Sequence, residues 1–100
     1  MNKIEQLKNE NRRWTILRLL SSDPGHETES RLIQRGVREL NHSHDVGLAQ
    51  IRDDLTWLDK RLLLRIAIDG DHIYAEVTQR GADVAAGRDH IDGVDAPPFD

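Results

Sequence analysis

The chain has no cysteine, so neither a disulfide nor a thiolate-bound metal can hold it together. Aromatic residues are scarce at 4%, with one Phe and one Tyr beside two Trp, so any core must be mainly aliphatic. No run approaches the roughly 18 apolar residues of a membrane span. No basic-then-apolar leader opens the chain. A cytoplasmic protein without membrane contact is the expectation. Charge is plentiful instead: 32% of residues are Asp, Glu, Lys or Arg, the mean hydropathy is -0.65 and the net charge is -4. One hundred residues make one domain with a modest core.

The acidic excess is uneven. Residues 1–65 hold 12 Lys+Arg against 10 Asp+Glu, whereas residues 66–100 hold 2 against 8. A mildly basic first part is followed by an acidic second part, and nucleic-acid binders favour clustered basic charge.

Apolar spacing predicts a helix over 3–21, with Ile4, Leu7, Trp14, Leu17 and Leu20 on one stripe and Ile16 and Leu19 widening it. Ser21-Ser22-Asp23-Pro24-Gly25 ends it. Thr28 reads as the N-cap of a second helix, with Glu29 in its first turn and Leu32, Ile33, Val37 and Leu40 facing inward. Asn41-His42 breaks that pattern, and Ser43 followed by Asp45 opens a third helix. Leu48, Ile51, Leu55, Leu58 and Leu62 then recur at alternating steps of three and four, a helical core stripe.

Two short alternating runs follow around Asp69-Gly70-Asp71. Leu64, Ile66 and Ile68 share one face, as do Ile73, Ala75 and Val77, so a hairpin with one side to bury is expected. Two registers keep these faces inward, and in one of them Arg65 lies opposite Glu76. Thr78 caps a short last helix reaching about Ala86, with Gly87 behind it. The order helix-helix-helix-strand-strand-helix is an α+β winged helix-turn-helix: three helices, a two-stranded wing and a short C-terminal helix. The domain spans 1–87, and 88–100, rich in Asp with two Pro, reads as an acidic, mobile tail.

Ser43-His44, Leu55, Leu58, Arg61-Leu62, the Asp-Gly turn, Tyr74, Val77-Thr78, Gly81, Val84-Ala85 and Gly87 together resemble the core of winged-helix regulators of the arsenical-resistance type. Over its whole length the chain is most similar to a small uncharacterised family of Mu-like prophages, in which Gly93-Val94 and Pro97-Pro98 match a Gly-Val…Pro ending. The resemblance implies a winged-helix fold and DNA binding in transcription regulation. Three positions depart from it. Arg61 stands where the turn after the third helix usually has Gly. Asp95-Ala96 replaces basic residues in the tail. The Cys and Asp/His ligand sets of the metal-sensing regulators are missing.

A small phage-type DNA-binding regulator is therefore expected, with double-stranded DNA as partner. His44, Gly47 and Gln50 lie on the outward side of the third helix, where Gln50 can read adenine and Gly47 permits close approach. Asp45 and Asp54 on that side would repel phosphates. Arg31, Arg35 and Arg38 form one stripe of the second helix, suited to the phosphate backbone. Glu27–Arg31 and Arg35–Glu39 also read as ordinary i, i+4 pairs. The Asp69-Gly70-Asp71 tip is wrong for a DNA-binding wing. That conflict leaves open a winged-helix module that binds another phage protein in packaging or morphogenesis.

A homodimer is expected, because one unit reads only a half-site. Its candidate surface is the broad apolar face carrying Trp14, Leu17 and Leu20, unless that face is used up inside the monomer. Trp57 lies off the core stripe, as a cover for the hairpin base or as an anchor for a partner. The five His lack helical ligand spacing, and no catalytic constellation can be assembled. Neither metal, cofactor nor enzymatic activity is expected.

Overall fold

In the computed structural model, which describes residues 2–97, an α+β fold is built from four helices and one three-stranded antiparallel sheet. The elements run α1 (Lys3–Ser21), β1 (Thr28–Glu29), α2 (Ser30–Leu40), α3 (Leu48–Lys60), β2 (Leu64–Asp69), β3 (His72–Val77) and α4 (Gln79–Ala85). This is a winged-helix-like arrangement. β3 lies between β1 and β2 in the sheet.

α1 has the expected bounds. Asn2 Oδ1 accepts from Glu5 N–H at 2.8 Å at its start, and the Ser22 hydroxyl donates to Leu19 O at 2.6 Å at its end. Only its C-terminal half is packed: Ile16, Leu17 and Leu20 are buried, while Ile4 and Leu7 stand in solvent. The inward stripe drawn from Ile4 onward is thus half right, because α1 is longer than the core beneath it.

The second helix starts one residue later than expected. Thr28 is not its cap but part of β1, which pairs Thr28 with Ala75 and Glu29 with Tyr74. Glu29 caps α2 instead, accepting from Arg31 N–H at 2.6 Å. The third helix begins at Leu48 with Gly47 as N-cap, not at Ser43. The turn between is held by α2: Gln34 Nε2 and Arg38 Nε both donate to Val46 O, at 2.9 and 3.0 Å. Val46 is itself buried.

The hairpin takes the register with Arg65 opposite Glu76, and the pair lies 3.8 Å apart. Asp69 pairs with His72, leaving Gly70-Asp71 as the two-residue loop. Gly70 leads that loop at φ +60, which a residue with a Cβ adopts only under strain. Leu64, Ala75 and Val77 are buried, but Ile68 is not; the tip extends past the core. On the α3 side, Asp59 Oδ1 accepts from Ile66 N–H at 3.2 Å, using an edge donor of β2 that no strand pairs.

The departure at Arg61 resolves itself one residue on. Arg61 sits at φ -98, and Leu62 takes the left-handed conformation at φ +64. Leu63 N–H donates to Leu58 O and Leu62 N–H to Asp59 O, at 3.1 and 3.0 Å, the paired closure of a Schellman C-terminus. Leu62 is therefore exposed, and Leu63 enters the core in its place. Thr78 locks this turn, its hydroxyl donating to Leu62 O at 2.7 Å and accepting from Gly81 N–H at 3.1 Å. A leucine in this conformation carries about 1 kcal/mol of strain. Leu62→Gly removes the strain and loses little packing, so it should raise stability by about 0.5–1 kcal/mol in chemical denaturation.

The segment after α4 does not run free, which corrects the expectation of a mobile tail as far as Pro97. Ile91 and Val94 pack against the core. Asp95 N–H donates to Glu10 O at 3.1 Å, and Arg13 Nη1 donates to Gly93 O at 3.0 Å. Gly93 lies against the Trp57 ring at φ +95, where a Cβ would overlap the indole. The physical reason is that two apolar side chains, one backbone–backbone hydrogen bond and one from the Arg13 side chain suffice to dock a short strap, acidic or not. Pro98, part of the ending read from the sequence, lies outside the described residues.

Candidate nucleic-acid interface

α3 shows solvent one stripe of Ala49, Asp53, Thr56 and Lys60, with Gln50 beside it and His44 in the preceding turn. The opposite side, Ile51, Leu55 and Leu58, is fully buried. His44, Gly47 and Gln50 do gather at the start of α3. Gln50 Oε1 accepts from Gly47 N–H at 3.0 Å, satisfying one orphan donor of the helix end. Its amide N–H groups have no acceptor among the described residues. Gly47 has an ordinary φ of -84, so it is there as a permissive N-cap and not for a special backbone shape.

Asp54 was assigned to the outward side, and this is corrected. It is 2% exposed. Arg12 Nε donates to its Oδ2, while Arg12 Nη2 and Arg13 Nε reach its Oδ1, each at 3.3 Å. Burial pushes the Asp54 carboxyl above its ordinary value, and the two guanidiniums pull against that shift. Two cations and one anion are consumed inside the fold. Asp45 does stay outside. Hydrogen bonding from the Ser43 hydroxyl holds its carboxyl below the ordinary value, so it remains ionised beside the first turn of α3.

The arginine stripe of α2 is largely dismantled. Arg31 donates to Glu29 Oε1 at 2.8 Å and approaches His72 Nδ1 at 3.3 Å; its partner is Glu29, not Glu27. Arg38 is half-buried and spent on Val46 O. Arg35 alone among the arginines has no hydrogen bond, ion pair or ring contact among the described residues. The other arginines repeat the pattern. Arg52 donates to Asp71 O at the wing tip, tying that tip to α3. Arg13 and Arg61 both place their guanidiniums over the Trp57 ring, at 4.1 and 3.5 Å from its centroid. Trp57 is partly buried against the core, and two guanidiniums and the Gly93 strap cover it. This cover was not legible in the sequence, because it joins residues about 40 and 80 positions apart.

The candidate dimer residues are also corrected. Trp14 is 9% exposed, Leu17 0% and Leu20 4%. All three are spent within this chain's own packing, and Trp14 Nε1 donates to Ala85 O at 3.1 Å. They offer a second copy nothing. Among the described residues, no three His, Cys, Asp or Glu side chains converge as a metal site requires, and no helix is long and apolar enough to cross a membrane.

No family model, curated protein or solved structure matches this chain.

The Glu29 cluster carries a pH dependence. Burial raises the Glu29 carboxyl, but hydrogen bonds from Arg31, Ser30 and His72 outweigh it and bring it from 4.5 to about 2. A carboxyl lowered by folding stabilises the fold above its ordinary value, and that stabilisation is lost as the pH falls through the folded value. Glu29 should thus contribute fully above pH 4.5 and nothing below about 2. Glu29→Gln should remove this part of the acid limb in a pH series of thermal melts, with the variant and the native chain converging toward pH 2.

Proposed function

We propose that the chain is a small winged-helix DNA-binding protein with a regulatory role, contacting double-stranded DNA through the start of α3 and the outer face of α2. The observation that carries this reading is the solvent-open first turn of α3, where Gln50 presents free amide donors beside His44 and Gly47. Such a turn is the part of a helix-turn-helix that meets base edges. Burial of Asp54 removes one of the charges that would oppose it. Arg35 supplies a phosphate contact on the flank, and Lys60 a second at the far end of α3. The resemblance to winged-helix regulators of the arsenical-resistance type and to a family of Mu-like prophages favours a phage setting.

A second reading has its own support. The wing tip carries Asp69 and Asp71 beside Ile68, which is 68% exposed. An apolar residue framed by two carboxylates suits a protein partner better than a phosphate backbone. On this reading the same fold is an interaction module of phage assembly.

Fluorescence anisotropy of a labelled duplex across a salt series separates the two. With most arginines engaged internally, the plot of log affinity against log salt should have a shallow slope of about -2, one unit for each free cation. Arg35→Ala should flatten it by about 0.9. Arg38→Ala should leave the slope unchanged and lower stability by about 1 kcal/mol, since its role is to hold the Val46 carbonyl. Absence of duplex binding at the lowest salt, with the fold intact by circular dichroism, removes the DNA reading and leaves the protein-binding one.

A further inference from the structure

We infer that the cleft between the end of α1 and the outer face of α2 binds a small monocarboxylate with a compact aliphatic body, its carboxylate held by Arg35. The cavity measures about 270 Å³, the scale of a ligand of roughly ten non-hydrogen atoms. Its floor is apolar, with Leu20 and Ile33 only 4% and 2% exposed. Leu19 of α1 and Leu32 of α2 form the sides. Leu19 reaches against α2 because Gly36 has no side chain: a Cβ there would lie 2.9 Å from Leu19 Cδ1. Leu32, expected to face inward, is 58% exposed. It stands on the lip of the cleft, where an aliphatic ligand would take its surface out of water.

The polar groups on the rim choose the ligand. Leu32, Arg35, Gly36 and Glu39 fall at i, i+3, i+4 and i+7 of α2, one face of the helix. Arg35 makes no hydrogen bond, ion pair or ring contact among the described residues. Its planar fork of N–H donors fits one carboxylate in bidentate fashion. Thr28 is uncharged and Glu39 is the other ionisable group of the lining, so no second cation meets the ligand. Repulsion from Glu39 selects against a second negative charge, as on a dicarboxylate or a phosphate dianion. A single carboxylate on an uncharged aliphatic body is what this lining complements. One consequence rests on the DNA-binding reading. The guanidinium that would take the carboxylate is the one assigned to the phosphate backbone, so ligand and duplex compete for Arg35, each weakening the other.

Hexanoate is the probe, with hexan-1-ol as the same body without charge and acetate as the charge without the body. Titration of the isotope-labelled chain followed by two-dimensional NMR should give saturable shifts at Leu19, Leu32 and Gly36, with a dissociation constant of about 3 mM. Acetate should give none, and hexan-1-ol should bind roughly tenfold more weakly. Arg35→Ala should bring hexanoate down to the level of hexan-1-ol, and Leu32→Ser should weaken both. Both positions are exposed, so the circular dichroism spectrum should not change. Hexanoate that gives no saturable shifts up to about 30 mM, or shifts that lie away from this cleft, overturns the site. Full hexanoate affinity in Arg35→Ala overturns the role of Arg35. In the duplex anisotropy assay, saturating hexanoate should weaken native binding as much as Arg35→Ala does, measured against equal acetate, and should leave Arg35→Ala unaffected. A chain that binds both ligand and duplex without interference overturns the competition. A chain that binds hexanoate and no duplex keeps the site and loses the DNA reading.

Discussion

The carboxylate of Asp54 is the point on which the rest of the molecule hangs. It lies on the core side of α3, and its two oxygens take the guanidiniums of two consecutive residues of α1. Removing a carboxylate from water is costly unless its lone pairs are filled. Here they are filled from one helix. α1 is thereby fixed to α3 in both position and rotation. Arg13 is then aimed so that its Nη1 meets the Gly93 carbonyl and its guanidinium covers Trp57. Through Arg13 the last described segment is drawn onto the same seam. A single buried anion organises a helix pair, an aromatic ring and a strap.

The same logic explains why arginine content is a poor guide to function in this chain. Eleven arginines look like material for a phosphate-binding surface. Most are turned inward or sideways, onto carboxylates, carbonyls and indole rings. A planar guanidinium with five donors is suited to such bracing. Only a sparse positive surface remains, next to an acidic wing tip and an ionised Asp45. On the proposed reading, contact with a strongly charged polymer would rest on few groups, and shape at the start of α3 would have to supply much of what charge does not. On the proposed DNA-binding reading, this would make the chain a weakly steered binder, unlike the salt-sensitive binders usual among helix-turn-helix proteins.

Local patterns carried most of the architecture. The bounds of α1, the Asp-Gly hairpin and the Thr78 cap follow from side-chain spacing and from caps within a few residues, and each was legible in the sequence. Two-residue β1 was not, because two residues show no alternation and their only partner is a strand about 45 positions away. Leu62 was read as core because it extends an uninterrupted stripe, yet the helix closes two residues earlier, at Lys60, and hands the buried position to Leu63. Asp54 was read as outward because a carboxylate on a helix usually is. Its counter-ions are 41 and 42 residues away, and nothing in the spacing of α3 announces them. Of the candidate site, the grouping of His44, Gly47 and Gln50 was legible from their closeness in the chain. The fate of Arg31 and Arg38 was not, since it depends on Glu29 in a strand and on the Val46 carbonyl in a turn.

A double-mutant cycle on Arg12 and Asp54, followed by chemical denaturation, tests the central role of this pair. Asp54→Ala alone should cost about 3–5 kcal/mol, because it leaves the buried Arg12 guanidinium and the half-buried Arg13 one without their anion. Arg12→Ala should cost a comparable amount, and the double variant should be less damaging than the sum by about 2 kcal/mol or more. The Asp54→Ala protein should also show altered Trp57 fluorescence below the unfolding transition, as Arg13 and the Gly93 strap lose their alignment. Single changes that each cost under about 1 kcal/mol and add without coupling would contradict the account, and would mean that apolar packing alone sets α1 against α3.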